Sequence, residues 1–561
     1  MFPGTERRGR SLMAEKSIGR KMLLSKNILY SQWLMIIPII LYTGMLLYQM
    51  ISNTMTGLTY PNELREGVNI EFTLALLEGK NPYGKQWLNE NIPGPCYLYP
   101  FLYCSVVAAL AKLFPLDIFF LHYGLTFLSI IASGGIISLM VKEQTKTKIA
   151  PVLAFPLALM FHWRYGYVGA VPDSFGFFLF TLAIFFSTRE GKRNSVFVNG
   201  VITVLLFYVK QYYILLAGIF ILYYIKQSKK QAVQYIFFCA LLTLLSAGIV
   251  TLFFPTYWTY AFYLLKGTEV YVSKKQFLYV LEQFAYMMTI YGIFFILIIY
   301  RIYQLGKEGK LKCQWKRKGF KEPLLSLGIE NKEWIQWCHF LISGLGLFYF
   351  GLNDGAYLTY YLQLWAPSLV ILGLITWEEI FLGKEGRKKL IFYGLYGMIA
   401  LFSLFLSHRR LPFHRLNKED LEAWKEAYAY LDSYSKEEIY HSATTAFYAF
   451  ENHQYVYDTG HVNITRESNY EIWKNSKTDR WLFPYAGKIY EQHDKHHERI
   501  REKVQEGEYG LITLVQGLDI VLDESLLEEK YEKIDTISLY LGNMAYDTQF
   551  WALKDKRAGG K

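Results

Sequence analysis

The chain has 561 residues, of which 52% are hydrophobic and 18% aromatic, and a formal net charge of +11. Apolar runs near 20 residues recur from about residue 31 to residue 407, long enough to cross a hydrocarbon core, and set the class as a polytopic membrane protein. The five scattered cysteines form no CxxC pair, so neither a disulfide framework nor a zinc site is indicated, and the basic residues gather in short loops between apolar runs, the pattern of cytoplasmic loops rather than of a nucleic-acid surface.

In chain order, residues 1–30 form a basic tail (Arg7, Arg8, Arg10, Lys16, Arg20, Lys21, Lys26) with no cleavable small-residue site, read as cytoplasmic. A first span is predicted at 31–52, followed by a long acidic loop over 53–115. In that loop Asn62 is placed to cap a helix whose first turn carries Glu63 and Glu66, with Gly79 and Pro82 ending it. The helix dipole favours ionised carboxylates there. Two carboxylates at the mouth of a many-helix membrane protein suit a base acting on a lipid-delivered substrate; the plainer reading is an ordinary acidic first turn.

Further spans are predicted at 116–141, 149–168, 173–187, 195–209, 212–225, 232–254, 277–300, 334–352, 358–382 and 389–407. The apolar stretch Tyr99 to Phe114 is short for a span. Lysine and arginine clusters at 142–148, 189–193, 226–230, 301–332 and 384–389 fall on one side only if it does not cross. The expected fold is therefore eleven spans plus one re-entrant or juxtamembrane helix, with the N-terminus cytoplasmic. From about His408 apolar and charged residues mix, and 408–561 reads as an extracytoplasmic α/β domain with short strands at Ile439, Val456, Leu511–Val515 and Ile537–Leu541. His493, His496 and His497 lie among charged neighbours and read as a solvated helix rather than a metal site.

This topology gathers polar residues at the outer surface. The third span ends His162-Trp163-Arg164-Tyr165, the fourth begins Pro172-Asp173-Ser174, Lys210-Gln211 separates two short apolar helices, and the tenth span opens Tyr360-Tyr361-Leu362-Gln363. Taken singly, Arg164 or Lys210 reads as a snorkelling anchor. Taken together, cations on helix ends and carboxylates on one loop are what transfer from a lipid phosphate needs: cations hold the leaving phosphate and a carboxylate takes a proton from the acceptor.

One span, an acidic loop running Glu66-Gly67 to Gly79-Lys80-Asn81-Pro82-Tyr83, the segment Tyr99-Pro100-Phe101-Leu102-Tyr103, then Pro172-Asp173, Lys210-Gln211 and Tyr360-Tyr361-Leu362-Gln363-Leu364 before Pro367 follow one another in order. In this order the chain resembles the GT-C superfamily of integral-membrane glycosyltransferases, which includes the protein O-mannosyltransferases and the lipid A aminoarabinose transferases. The resemblance covers roughly residues 31–407. It implies a polyprenyl-phosphate-linked sugar donor, an extracytoplasmic acceptor in the cell envelope (glycan, lipid or protein), and inversion at the anomeric carbon. It carries the family's acidic base onto Glu66 and, second, Glu63, and makes Lys210, Arg164, Asp173, His162, Gln363 and Tyr360 the substrate-binding set. Glutamate stands where aspartate is commoner, and Arg65 where a second acid often stands, which leaves open a need for a divalent metal; no other cofactor is implied. A transporter is the main rival, but the sequence has no internal repeat and its polar residues cluster at the outer boundary. An O-antigen-type polymerase or ligase would share the lipid-linked donor, with its key arginines in large outer loops.

Overall fold

The computed structural model describes residues 36–60, 66–88, 99–165, 169–188, 195–264, 274–311, 314–315, 325–353, 358–382, 398, 401–402, 405, 417–456, 467–516, 519, 521–541 and 544–554. They begin with α1 (Ile36–Gly57), α2 (Glu66–Leu77), α3 (Leu102–Leu113), α4 (Ile118–Gln144), α5 (Ile149–Tyr165) and α6 (Pro172–Thr188). There follow α7 (Ser195–Phe207), α8 (Leu215–Gln227), α9 (Lys229–Phe253), α10 (Lys274–Lys307), α11 (Asn331–Asn353) and α12 (Leu358–Leu382). Predicted spans from 31–52 through 358–382 each overlap one of these helices; 389–407 lies almost wholly outside the described residues.

Among the described residues, α1, α4 and α9 are long and apolar enough to cross a membrane. The surface of α9 says what surrounds it. Only 6% of its most apolar window is buried in the protein, and Leu244 is 73% and Leu252 80% exposed. An apolar stripe of that extent is a lipid-facing surface rather than a solvated one. The 12 residues of α3 span about 18 Å at the helical rise, well short of a hydrocarbon core of about 30 Å.

Local chemistry sets the element ends. Asp117 caps α4 by accepting from the Phe119 and Phe120 N–H groups, and Ser228 caps α9 through Gln231 N–H. α2 closes in a Schellman motif: Gly79 takes φ +75°, Lys80 N–H donates to Ala75 O at 2.8 Å, and Gly79 N–H to Leu76 O at 3.2 Å. The expected helix end at Gly79 is therefore found, while Asn62 and Glu63 lie outside the described residues.

The bundle has two polar ends. Just past α1, Tyr60 stacks on Trp424 at 5.4 Å, and Phe119 at the start of α4 lies 5.3 Å from Phe447, so the chain between them leaves and returns at the end covered by the C-terminal region. At the opposite end Thr147 Oγ1 donates to Glu378 at 2.7 Å, Lys226 Nζ donates to Asn331 Oδ1 at 2.9 Å, and a two-residue ladder pairs β1 (Gln314–Trp315) with β2 (Leu325–Ser326).

The C-terminal region continues with α13 (Lys418–Asp432), β3 (Ile439–Tyr440), α14 (Ala446–Glu451), α15 (Glu467–Asn475), α16 (Lys477–Leu482) and α17 (Ala486–Glu506). It ends with β4 (Leu511–Val515), α18 (Glu524–Leu527), β5 (Tyr531–Leu541) and β6 (Met544–Leu553). Asn417 and Asp420 form a capping box on α13. The sheet runs β3-β4-β6-β5, with β3 parallel to β4 and the other pairs antiparallel, Thr513 facing Phe550 and Ser538 facing Asp547.

Three expectations change here. Val456 is not in a strand; its N–H is drawn away to a carboxylate on α2. β6, with its mixed apolar and polar composition, escaped the sequence reading. His493 is buried on the inner face of α17 rather than solvated, and burial, then the neighbouring His497 and His496, push its pKa down to about 3. Ala486, Ile489 and Tyr490 of α17 pack into the same apolar core as the bundle.

Candidate active site

Two buried polar centres lie at the end of the bundle under the C-terminal region. The first is Glu66, the first residue of α2, fully buried. Its Oε2 accepts from the Tyr123 hydroxyl of α4 at 2.7 Å, and its Oε1 accepts from Ala170 N–H at 3.1 Å. One turn along, Asn69 Nδ2 donates to Ala170 O at 2.8 Å, so α2 grips both polar groups of one peptide position. Gly169 leaves room beside them: a Cβ there would stand 1.8 Å from Glu66 Oε1 and force the carboxylate to move. Glu66 was expected in the first turn of a helix within the outer loop; it is in that first turn, and its carboxylate is enclosed between α4 and the turn that leads into α6.

That turn delivers the second centre. Pro172 opens α6, where its fixed φ suits the first helical position and its missing N–H leaves no orphan donor. Asp173 follows in the first turn, where the dipole favours an acid. Lys210 arrives from the other side. α7 stops at Phe207, Lys210 adopts an extended backbone (φ −161°, ψ 135°), and a 3-10 turn over Gln211–Ile214 leads into α8. Its ammonium lies 2.8 and 3.0 Å from the two Asp173 oxygens. Tyr212 OH donates to Asp173 Oδ1 at 2.7 Å, Tyr213 OH donates to Asp173 O at 2.5 Å, and the Tyr99 ring lies 4.8 Å from Lys210 Nζ. Lys210 is 7% exposed. A snorkelling anchor would reach along the surface, whereas this lysine is buried in an ion pair.

A polar wall joins the centres. Thr73 on α2 meets His122 Nε2 at 2.9 Å, His122 Nδ1 meets the Tyr103 hydroxyl at 3.1 Å, and Tyr103 meets Thr126 at 3.3 Å. Thr126 in turn donates to Gly169 O at 2.7 Å. Segment 169–173 thus carries a contact of each centre within five residues.

The rest of the loop is pinned from both sides. Asn81 Nδ2 donates to Phe253 O at 2.6 Å, and Tyr83 O accepts from Thr256 N–H at 3.2 Å and Oγ1 at 2.9 Å. The Asn-Pro-Tyr motif therefore ties the loop to the end of α9. From above, Val456 N–H donates to Glu71 Oε1 at 3.2 Å, Tyr455 OH to Glu78 Oε2 at 2.6 Å, and Gln492 Nε2 to Leu88 O at 3.1 Å. Burial pushes the Glu71 carboxyl well above the usual carboxylate range, with the single Val456 hydrogen bond acting against it. Burial also works against charge on Glu78, but hydrogen bonds from Lys80 and Tyr455 outweigh it and hold that carboxyl below the usual range.

Of the residues singled out from sequence, Glu66, Asp173 and Lys210 are brought to this end. Glu63 and the side chains of His162, Arg164 and Tyr360 lie outside the described residues. Gln363 is buried on α12, one turn before Pro367. Tyr99 stood in the segment Tyr99-Pro100-Phe101-Leu102-Tyr103 without a role of its own; sequence reasoning missed Tyr123, Asn69 and Tyr212. Each sits in an apolar or aromatic context that reads as packing; for Tyr212 alone, two residues past a lysine at a helix break, was there a usable signal. Among the described residues no group of three or more His, Cys, Asp or Glu is arranged to hold a metal ion.

No protein-family model and no curated protein matches the chain. Solved structures similar to it include the following two. ArnT from Cupriavidus metallidurans bound to undecaprenyl phosphate aligns at 11% identity over 84% of this chain and 80% of its own, with a TM-score of 0.42. An Archaeoglobus fulgidus oligosaccharyltransferase, tethered with an acceptor peptide containing an NVT sequon, aligns at 12% identity over 90% of this chain and 74% of its own, with a TM-score of 0.41. At scores of this size the functional argument rests on the residues themselves.

Proposed function

We propose that this chain is a membrane glycosyltransferase of the GT-C type, which moves a sugar from a polyprenyl-phosphate donor to an acceptor hydroxyl in the cell envelope. The observation that carries the reading is the pairing of two buried centres on one five-residue segment: a carboxylate at Glu66 and an ammonium at Lys210 held by Asp173. Transfer from a sugar phosphate needs both. The acceptor oxygen attacks the anomeric carbon, the carbon–oxygen bond to phosphate breaks, and its electron pair leaves on the polyprenyl phosphate. The acceptor proton passes to a carboxylate, here Glu66. One displacement inverts the anomeric carbon.

Each neighbour has a stated task. Tyr123 and the Ala170 N–H hold the two Glu66 oxygens in a fixed direction. Asp173 and Tyr212 hold Lys210 so that its charge is already placed when the phosphate arrives, which is where preorganised electrostatics contribute. Arg164, His162, Tyr360 and Gln363 complete the proposed donor site, and Glu63 is the second candidate acid. The membrane domain over 31–407, with its N-terminus cytoplasmic and its sugar-transfer end extracytoplasmic, belongs to the same proposal.

Purified protein in lipid vesicles, supplied with radiolabelled polyprenyl-phosphate sugars, tests it. The expected result is loss of label from the lipid carrier in wild type and retention of label with Glu66→Gln. Donor consumption that is equal in both would remove Glu66 from the chemistry. A third outcome, no consumption of any such donor alongside uptake of a solute, would return the transporter reading.

A further inference from the structure

Between α15 and α17 the chain reads Trp481-Leu482-Phe483-Pro484-Tyr485. Trp481 is 80% exposed and Leu482 49%. Ile472, on the preceding helix, is also exposed. Nothing about the domain's own fold requires this: its two inner clusters are built from other residues, around Trp424 and Phe550 on one side of the sheet and Ile512 and Trp551 on the other. The exposed residues are nonetheless rigidly placed. Ser476 caps α16 through Asp479 N–H at 3.1 Å, Trp473 Nε1 donates to Phe483 O at 3.0 Å, and a Cβ on Gly487 would stand 2.4 Å from the Trp473 ring.

Their location identifies what covers them. Phe483, next to Leu482, packs on Tyr263 with ring centroids 5.1 Å apart. Tyr263 belongs to the turn Thr259–Leu264 that follows α9, the helix whose leucines face lipid. Lys474, Lys477 and Arg480 near the exposed tryptophan are themselves exposed, Lys474 lying 3.6 Å from Glu471. An exposed tryptophan and leucine among basic side chains, beside the end of a lipid-facing helix, have the composition of a membrane-interface anchor.

We propose that α16 and the Trp481-Leu482 pair rest in the boundary between headgroups and acyl chains, so that the bilayer itself holds the C-terminal region over the active site. The tryptophan and leucine enter the boundary, and the lysines and arginine reach back to the phosphates. Because α17 continues from this segment to the Gln492–Leu88 hydrogen bond, the anchor sits one helix away from the acidic loop. The proposal rests on the membrane reading of α9 and not on the identity of the sugar or the base.

Spin labels on the full chain in phosphatidylcholine vesicles test it, with the remaining cysteines replaced by alanine. Labels at Trp481→Cys and, independently, Leu482→Cys are compared with Leu244→Cys on α9 and Glu529→Cys at an exposed site beyond α18. The expected result is that 481 and 482 are accessible to oxygen, protected from a water-soluble nickel chelate, and shallower than 244. If 481 and 482 meet the chelate as freely as 529 while 244 stays in lipid, the segment is solvated and the proposal falls. Protection of both from oxygen and chelate alike would mean a protein contact, which also overturns it. Should 244 itself meet the chelate, the membrane reading of α9 fails instead.

Discussion

The chain buries a lysine–aspartate pair at one end of its bundle and an arginine–glutamate pair at the other, and the two are built differently. Arg301 meets Glu333 fork to fork, Nε to Oε1 at 2.9 Å and Nη2 to Oε2 at 2.8 Å, and its Nη1 donates to Glu379. Three N–H groups of that guanidinium go to carboxylates of α11 and α12, which fastens three helices together. Lys210 is a point charge on a flexible stem, set against one aspartate and an aromatic face, and that aspartate, itself bonded by the hydroxyls of Tyr212 and Tyr213, lies three residues along the chain from the peptide position that Glu66 holds. A planar guanidinium set fork to fork on a carboxylate fixes helices, whereas an ammonium is a compact point charge of the kind that also meets a phosphate. Burial and charge alone do not tell a clamp from a site; what surrounds the pair does.

The comparison can be broken at its chemical end first. Glu66→Gln keeps the volume and an oxygen for Tyr123 or Ala170 but cannot take a proton, and turnover is expected to fall about 10²- to 10⁴-fold with protein level retained. Tyr123→Phe, which removes only the hydroxyl that orients Glu66, should lower turnover by less and leave donor KM alone. A Tyr123→Phe loss as deep as that of Glu66→Gln would mean that Glu66 serves the packing of the 169–173 turn.

Next come the pairs themselves. Arg301→Ala leaves Glu333 buried without its partner and should destabilise the protein by about 3–5 kcal/mol, read as a lowered midpoint of thermal unfolding in detergent, with donor KM unchanged in the folded fraction. Lys210→Met strands Asp173 in the same way, and in addition should weaken donor use by about 10- to 100-fold, since charge-assisted contacts to a phosphate contribute roughly 1.5–3 kcal/mol. Adding Asp173→Leu to Lys210→Met should recover stability, because an apolar pair replaces a buried ion pair at little cost, but not donor use. Recovery of both would make this pair a clamp like the other.

The smallest effect is a pH dependence. Burial raises the folded-state pKa of Glu71 above its ordinary value, so the folded protein holds that proton more tightly than the unfolded chain. Its contribution to stability is full below the ordinary carboxylate range and is lost as pH rises through the raised value. Hydrogen exchange at Val456, where Glu71 accepts, should therefore quicken as pH is raised from that range, beyond the intrinsic base-catalysed increase. Glu71→Gln should remove the excess. An identical excess in the variant would assign it to another group.

Much of this was legible in the chain before any coordinates. The apolar runs marked the helices, because a helix in lipid must satisfy its own backbone and needs about 20 apolar residues to do so. Gly79 marked the end of α2, since only glycine takes its positive φ without strain. Glu66, Asp173 and Lys210 stood out as ionisable residues at the borders of apolar segments, where charge is costly without a purpose. What could not be read was which of them meet. Lys210 looked like a lone cation because its partner lies 37 residues away, and Tyr123 looked like one more aromatic in an apolar helix until α2 was packed against it.

Local sequence determined the helices, their caps and the polar residues at their ends, because those follow from hydrophobic length, backbone conformation and the dipole, all of which act over a few residues. Only the tertiary structure decided that Glu66 is enclosed rather than open, that Val456 spends its N–H on Glu71 instead of a strand, and that His493 turns inward. Each of those depends on which element arrives from far along the chain to supply a partner or take away water, and no pattern within a helix encodes that arrival.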